Sequence, residues 1–169
     1  MLSFAHVAAL YREALISNTP AYRYLCFHKV LESSRKRRED LVRKLKKQYR
    51  STRFGEIVPS TRPEQTAWLN SIFTGPRDWN EFTLNQVFIP EARGKKLTAL
   101  FDGPLHGILD SGSYLHFDDP VSTGEVTKWL PLLRCAVRRT LKNDFPEHYL
   151  RWLREDGTVA HDSLSTQPR

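Results

Sequence analysis

Asp102 and His106 stand four residues apart around Gly103-Pro104 and are the best-placed pair in the chain for proton-transfer chemistry. An imidazole titrates near neutral pH, so it can take up and return a proton, while a nearby carboxylate orients it. The same residues suit a second chemistry. Asp102, His106 and Asp110 recur every four positions, with His116, Asp118 and Asp119 close behind, and such donors suit Zn²⁺, Mn²⁺ or Fe. Gly103-Pro104 argues against that set, because a proline inside a helix breaks the register that would align it. No metal and no cofactor is therefore assigned. The plainest reading of His106 is a helix-start cap or a satisfied interior hydrogen bonder.

A second group can do binding rather than catalysis. Arg35, Lys36, Arg37, Arg38, Arg43, Lys44, Lys46, Lys47 and Arg50 crowd one stretch that ends at Arg53. Between Arg35 and Arg53 the local charge is +8, against +7 for the whole chain, so the remainder sums to −1. Cations on most faces of one helix can follow a phosphate backbone and release its counterions, which gives salt-sensitive binding without base reading. Tyr49 and Phe54 are too few for a stacking platform. The alternatives are a solvated arm, with some cations paired to Glu39 and Asp40, or a helix that docks on an acidic protein.

These groups need elements to hold them. Phe4, Val7, Ala8, Tyr11, Ala14 and Leu15 recur at helical spacing, which predicts a first helix over 4–17. Pro20 opens a long second helix reaching about Arg50, with Tyr24, Phe27, Val30 and Leu31 for the core. Residues 33–40 offer nothing to bury, and Leu41, Leu45 and Tyr49 restore only a thin seam. The distal half thus reads as a basic helix that projects or lies over a partner.

Residues 51–60 connect to a third helix, which the capping-box spacing of Thr61 and Glu64 opens and Gly75-Pro76 ends. A short helix follows at 80–88. Pro90 starts the run from Glu91 to Leu100 that leads to a turn at 102–104. Residues 112–124 read as loop or short hairpin, and Ser122 and Glu125 repeat the capping-box spacing before a closing helix. Pro131 would kink that helix or mark its true start. A last short helix is expected at 148–154.

An apolar content of 40% and a charged content of 27% are those of a soluble globular chain. The reading is a single helical domain over 1–155 and a disordered tail over 156–169. No apolar run is long enough for a membrane span, and Arg12 and Glu13 interrupt the apolar start, which argues against a signal peptide. Cys26 and Cys135 read as buried reduced thiols, consistent with a cytoplasmic protein. Trp68, Trp79, Trp129 and Trp152 read as core or interface anchors. There is no phosphate-binding glycine loop and no nucleophile elbow.

Taken together, Tyr22-Arg23-Tyr24-Leu25-Cys26-Phe27-His28-Lys29-Val30-Leu31-Glu32 and Phe101-Asp102-Gly103-Pro104-Leu105-His106 resemble two motifs of the HEPN helical domains (higher eukaryotes and prokaryotes nucleotide-binding). The first is similar to their aromatic-rich "Y-x-x-F-Y-x-x-L-E" helix in the MauJ-type and Apea-type branch. The second is similar to their "R-D/N-x-I-A-H-G/A" segment, which an acidic aromatic loop and a long closing helix follow. The resemblance covers roughly residues 5–145.

The resemblance implies an all-α, HEPN-like helical bundle with a long basic second helix. It also implies a homodimer through the face near His106. In active members an Arg and a His from two protomers meet beside an RNA 2′-hydroxyl, and no metal is needed. Here His106 inherits the acid/base role and Asp102 the polar partner, but Ala99, Leu100 and Phe101 stand where the Arg belongs. Losing such a cation typically costs about 10²–10³-fold in rate. The expectation is a non-catalytic or weakly active protein that binds RNA or a protein partner through the basic helix and the His106 face. The enzymatic alternative is a metal-independent endoribonuclease that uses His106 with an Arg supplied from another position or protomer.

Overall fold

The computed structural model describes residues 3–45, 56–73, 77–97, 99–101 and 120–145. Among these the fold is all-α: α1 (Phe4–Ile16), α2 (Pro20–Leu45), α3 (Arg62–Ile72), α4 (Glu81–Val87) and α5 (Pro120–Asp144), with a 3₁₀ turn at Pro90–Ala92. The expected helix at 148–154, the tail and Trp152 lie outside the described residues.

The periodicity of α1 turns Val7, Ala8, Tyr11 and Ala14 inward. Pro20 opens α2 where its missing N–H is no loss. Tyr24, Phe27, Val30 and Leu31 of α2 are buried, and the Tyr11 and Phe27 rings meet at 5.4 Å. The most extensive interface is between α2 and α5, which form the centre of the bundle. α1 packs on α2, while α3 and α4 pack on α5. Leu132, Leu133, Val137 and Leu141 line the inner face of α5, and both cysteines are buried and free. No helix is long and apolar enough to cross a membrane among the described residues.

The start of α3 follows its sequence signal, and that of α4 is set by a cap the structure reveals. Thr61 and Glu64 form the capping box, with the Thr61 N–H donating to Glu64 Oε2 at 3.3 Å. Asn80 caps α4 by accepting the Thr83 N–H at 2.8 Å. Trp68 Nε1 donates to Glu56 Oε1 at 2.8 Å, and Arg139 of α5 pairs with that oxygen at 2.6 Å. This ties the α2–α3 connection to the closing helix.

Three expectations need correction. The run from Glu91 to Leu100 is broken: after the 3₁₀ turn, Gly94 adopts φ +72°, and the chain bridges antiparallel from Lys96 to Ile57. The second is the start of the closing helix. It opens at Pro120 and not at the Ser122–Glu125 pattern, so residues 120–124 are helix and not loop, and Pro131 lies inside it. The third concerns residues 33–40 of α2. Ser34 is buried there, and Arg38 points inward as well.

Candidate functional site

The approach to the Asp102–His106 segment is built by tertiary contacts. Val58 N–H donates to the Lys95 carbonyl at 2.9 Å, and Leu97 N–H donates to the Glu56 carbonyl at 3.0 Å. Helical conformation then begins, and Leu97, Leu100 and Phe101 are buried. The Tyr24 hydroxyl of α2 donates to the Phe101 carbonyl at 3.2 Å inside the core. The residue before Asp102 is therefore fixed in both side chain and backbone. Asp102, His106, Asp110, His116, Asp118 and Asp119 themselves lie outside the described residues.

The basic stretch divides by direction. Lys36 is exposed and pairs with Glu32 one turn back at 2.9 Å, which holds the Glu32 carboxyl below the usual range. Arg35 approaches Glu39 at 3.7 Å. The Arg37 guanidinium carbon lies 4.1 Å from the Phe145 ring centroid. Arg38 turns in toward α5, where Nε donates to Asp144 Oδ1 at 2.7 Å and Nη2 to the same oxygen. The Ser34 hydroxyl donates to Asp144 Oδ2. Arg38 is thus committed to the fold rather than to solvent.

Beside Lys36 and Arg37 is a cleft of about 440 Å³ that reaches Leu10 of α1 and also carries Lys29, Glu32 and Asp40. Its mixed charge suits peptide-like or solvated contact more than a dedicated phosphate. Arg43 and Lys44 lie on the helical backbone of α2. Lys46, Lys47 and Arg50 lie outside the described residues.

The family model for methylamine utilization protein MauJ matches residues 7–150. The chain belongs to the MauJ family. No curated protein and no solved structure gives a significant match. The family match runs from α1 through α5, so it takes in both the basic stretch and the Asp102–His106 segment of this MauJ-family chain.

Arginines on α5 were not singled out from the sequence of the MauJ-family chain. Arg134 and Arg138 reach a second cleft with Cys135, whose thiol burial pushes up to about 11 although the two arginines pull the other way. The signal was present as spacing, because positions 131, 134, 135 and 138 share one face of a helix. It was obscured because α5 reads first as an apolar stripe.

Proposed function

We propose that this MauJ-family chain is a HEPN-like protein that binds RNA through phosphate contacts on the distal half of α2 and does not cleave it efficiently. The observation that carries the reading is charge segregation: +8 between Arg35 and Arg53, and −1 everywhere else. The contact set is Lys36, Arg37, Arg43, Lys44, Lys46, Lys47 and Arg50, with Arg35 at its edge and Arg38 withdrawn to Asp144.

The position of Phe101 supports the non-cleaving half of the reading. It occupies the place of the motif's Arg and is fully buried, so this chain offers no guanidinium at that point. His106 keeps a proton-handling group four positions after Asp102 in the sequence, while Phe101 in place of the motif's Arg supplies no cation to stabilise charge on a phosphorane. The same reading pairs two copies through the His106 face, which sedimentation of the purified chain checks.

The test is anisotropy titration of a labelled single-stranded RNA over a salt series. About five phosphate contacts would give a slope of log K on log salt of about −3.5. Replacing Lys44 and Lys47 together by Glu should lower affinity and flatten that slope. An affinity independent of salt would overturn the RNA reading, as would tight binding of polyglutamate without RNA binding. RNA cleavage in the presence of chelator that His106→Ala abolishes would overturn the non-cleaving half.

A further inference from the structure

Arg93, Lys95 and Lys96 place three cations within four positions, outside the basic stretch that ends at Arg53. Gly94 between them takes φ +72°, a left-handed turn that glycine adopts without strain. Backbone bonds fix this turn against residues 56–58. Gly94 N–H donates to the Val58 carbonyl at 2.9 Å, and Lys96 bridges antiparallel to Ile57. Glu56 stands only three positions after Arg53. Covalent geometry alone therefore keeps the end of the basic stretch within about 11 Å of Glu56, because a residue of chain spans at most about 3.6 Å. The fold thus brings a second group of cations to the place where the first one ends.

The carboxylates that flank the turn are already matched from α5. Glu91 pairs with Lys128 at 2.9 Å, and chiefly that contact holds its carboxyl below the usual range. Glu56 pairs with Arg139 at 2.6 Å and also accepts from Trp68 Nε1. Arg93 is half-buried, and among the described residues its guanidinium makes no ion pair or hydrogen bond. Its Nε is shut off from water as well as unpartnered. Lys96 is exposed and likewise makes no ion pair among the described residues. A partly shielded cation is screened less by salt than a fully solvated one, so Arg93 attracts an anion more strongly than its exposure alone suggests.

We propose that the turn from Arg93 to Lys96 is a second phosphate-contact patch, which takes up an RNA strand where it leaves the basic stretch of α2. Arg93 and Lys96 each hold one backbone phosphate of that strand. The inference rests on the RNA reading above and extends it, because it names contacts outside α2. A guanidinium can grip two phosphate oxygens at once, whereas the Lys96 ammonium acts as a point charge. Neither group reads a base, so the patch adds affinity and direction to the strand without adding sequence preference.

Anisotropy titration of the full chain with a single-stranded RNA of about twenty nucleotides, over a salt series, tests it. Two contacts beyond the five or so on α2 should steepen the slope of log K on log salt from about −3.5 to about −4.9. Arg93→Gln combined with Lys96→Gln should return the slope to about −3.5 and weaken binding about tenfold or more at low salt. Arg12→Gln combined with Arg134→Gln removes the same charge elsewhere and should leave the slope at the parent value. If Arg93→Gln does not fold, Lys96→Gln alone carries the test, with a change in slope of about 0.7. A parent-like slope in the Arg93 and Lys96 variant, with RNA still bound, would overturn this inference and leave the α2 reading standing. Equal flattening by both pairs of substitutions would overturn it too, since net charge would then account for the effect. Complete absence of RNA binding would overturn both readings.

Discussion

The Arg38 guanidinium sits against the Asp144 carboxylate and joins the middle of α2 to the last residue of α5 across 106 positions of sequence. The side chains are 12% and 6% exposed, and Ser34 uses the second carboxylate oxygen. Removing one partner would strand the other charge in a poorly solvated place. Arg38→Ala should therefore cost about 3–5 kcal/mol in a urea unfolding series. Lys36→Ala, which breaks an exposed pair two residues away, should cost no more than about 1 kcal/mol. Equal losses at the two positions would contradict an inward Arg38.

Phe101 makes the missing Arg of the motif hard to restore. Its ring is fully buried, and Tyr24 holds its carbonyl. Phe101→Arg would place a cation in the core without a prepared counter-ion, at a cost of several kcal/mol, about 4 or more. The expected outcome is a large fall in melting temperature and no gain of RNA cleavage. A folded Phe101→Arg variant that cleaves RNA would show that this position can face the site. Tyr24→Phe removes one buried hydrogen bond and should cost about 1 kcal/mol by the same measurement.

The sequence was most legible where the signal is local. Helical spacing placed α1 and the first half of α2, and the Thr61–Glu64 capping box placed the start of α3, because each signal acts within about one turn. It was least legible where a distant partner decides. Arg38 looks like one more solvent-facing cation until α5 brings Asp144 to it. The run from Glu91 to Leu100 has helix-forming residues, but its backbone pairs with residues 56–58 and Gly94 takes a left-handed φ. The arginine stripe of α5 is visible only when Phe73 and Val87 close over it. The Asp102–His106 pair itself lies outside the described residues.

Burial of Cys135 predicts a loss of stability in alkali. Its thiol rises from 9.0 in the open chain to about 11 in the fold, because burial penalises the thiolate more than Arg138 and Arg134 favour it. The folded state therefore holds the proton more tightly than the unfolded state. This contribution is complete below pH 9 and is lost as the pH rises toward 11, by an amount on the order of 2–3 kcal/mol. Urea midpoints should fall across that window, and Cys135→Ala should flatten the fall. Tyr22 shifts in the same direction through its bond to Glu13, but it is exposed to solvent, so Tyr22→Phe should leave the slope intact.

Thr61-x-x-Glu64 and Ser122-x-x-Glu125 spell the same helix-start pattern, but only the first begins a helix. At Thr61 the backbone is extended, and Glu64 reaches back to its N–H, with the Glu64 carboxyl held below its usual range chiefly by the Thr61 hydroxyl. Ser122 already lies within helical backbone, because Pro120 has opened α5. Capping needs a non-helical Ncap residue with free N–H groups ahead of it, and position 122 does not meet that condition. Thr61→Ala should therefore cost about 1 kcal/mol. Ser122→Ala should be neutral or stabilise by a few tenths, about 0.5 kcal/mol at most, through the higher helix propensity of alanine. Paired denaturation curves would separate the two, and a loss at Ser122 as large as that at Thr61 would move the start of α5 to the later position.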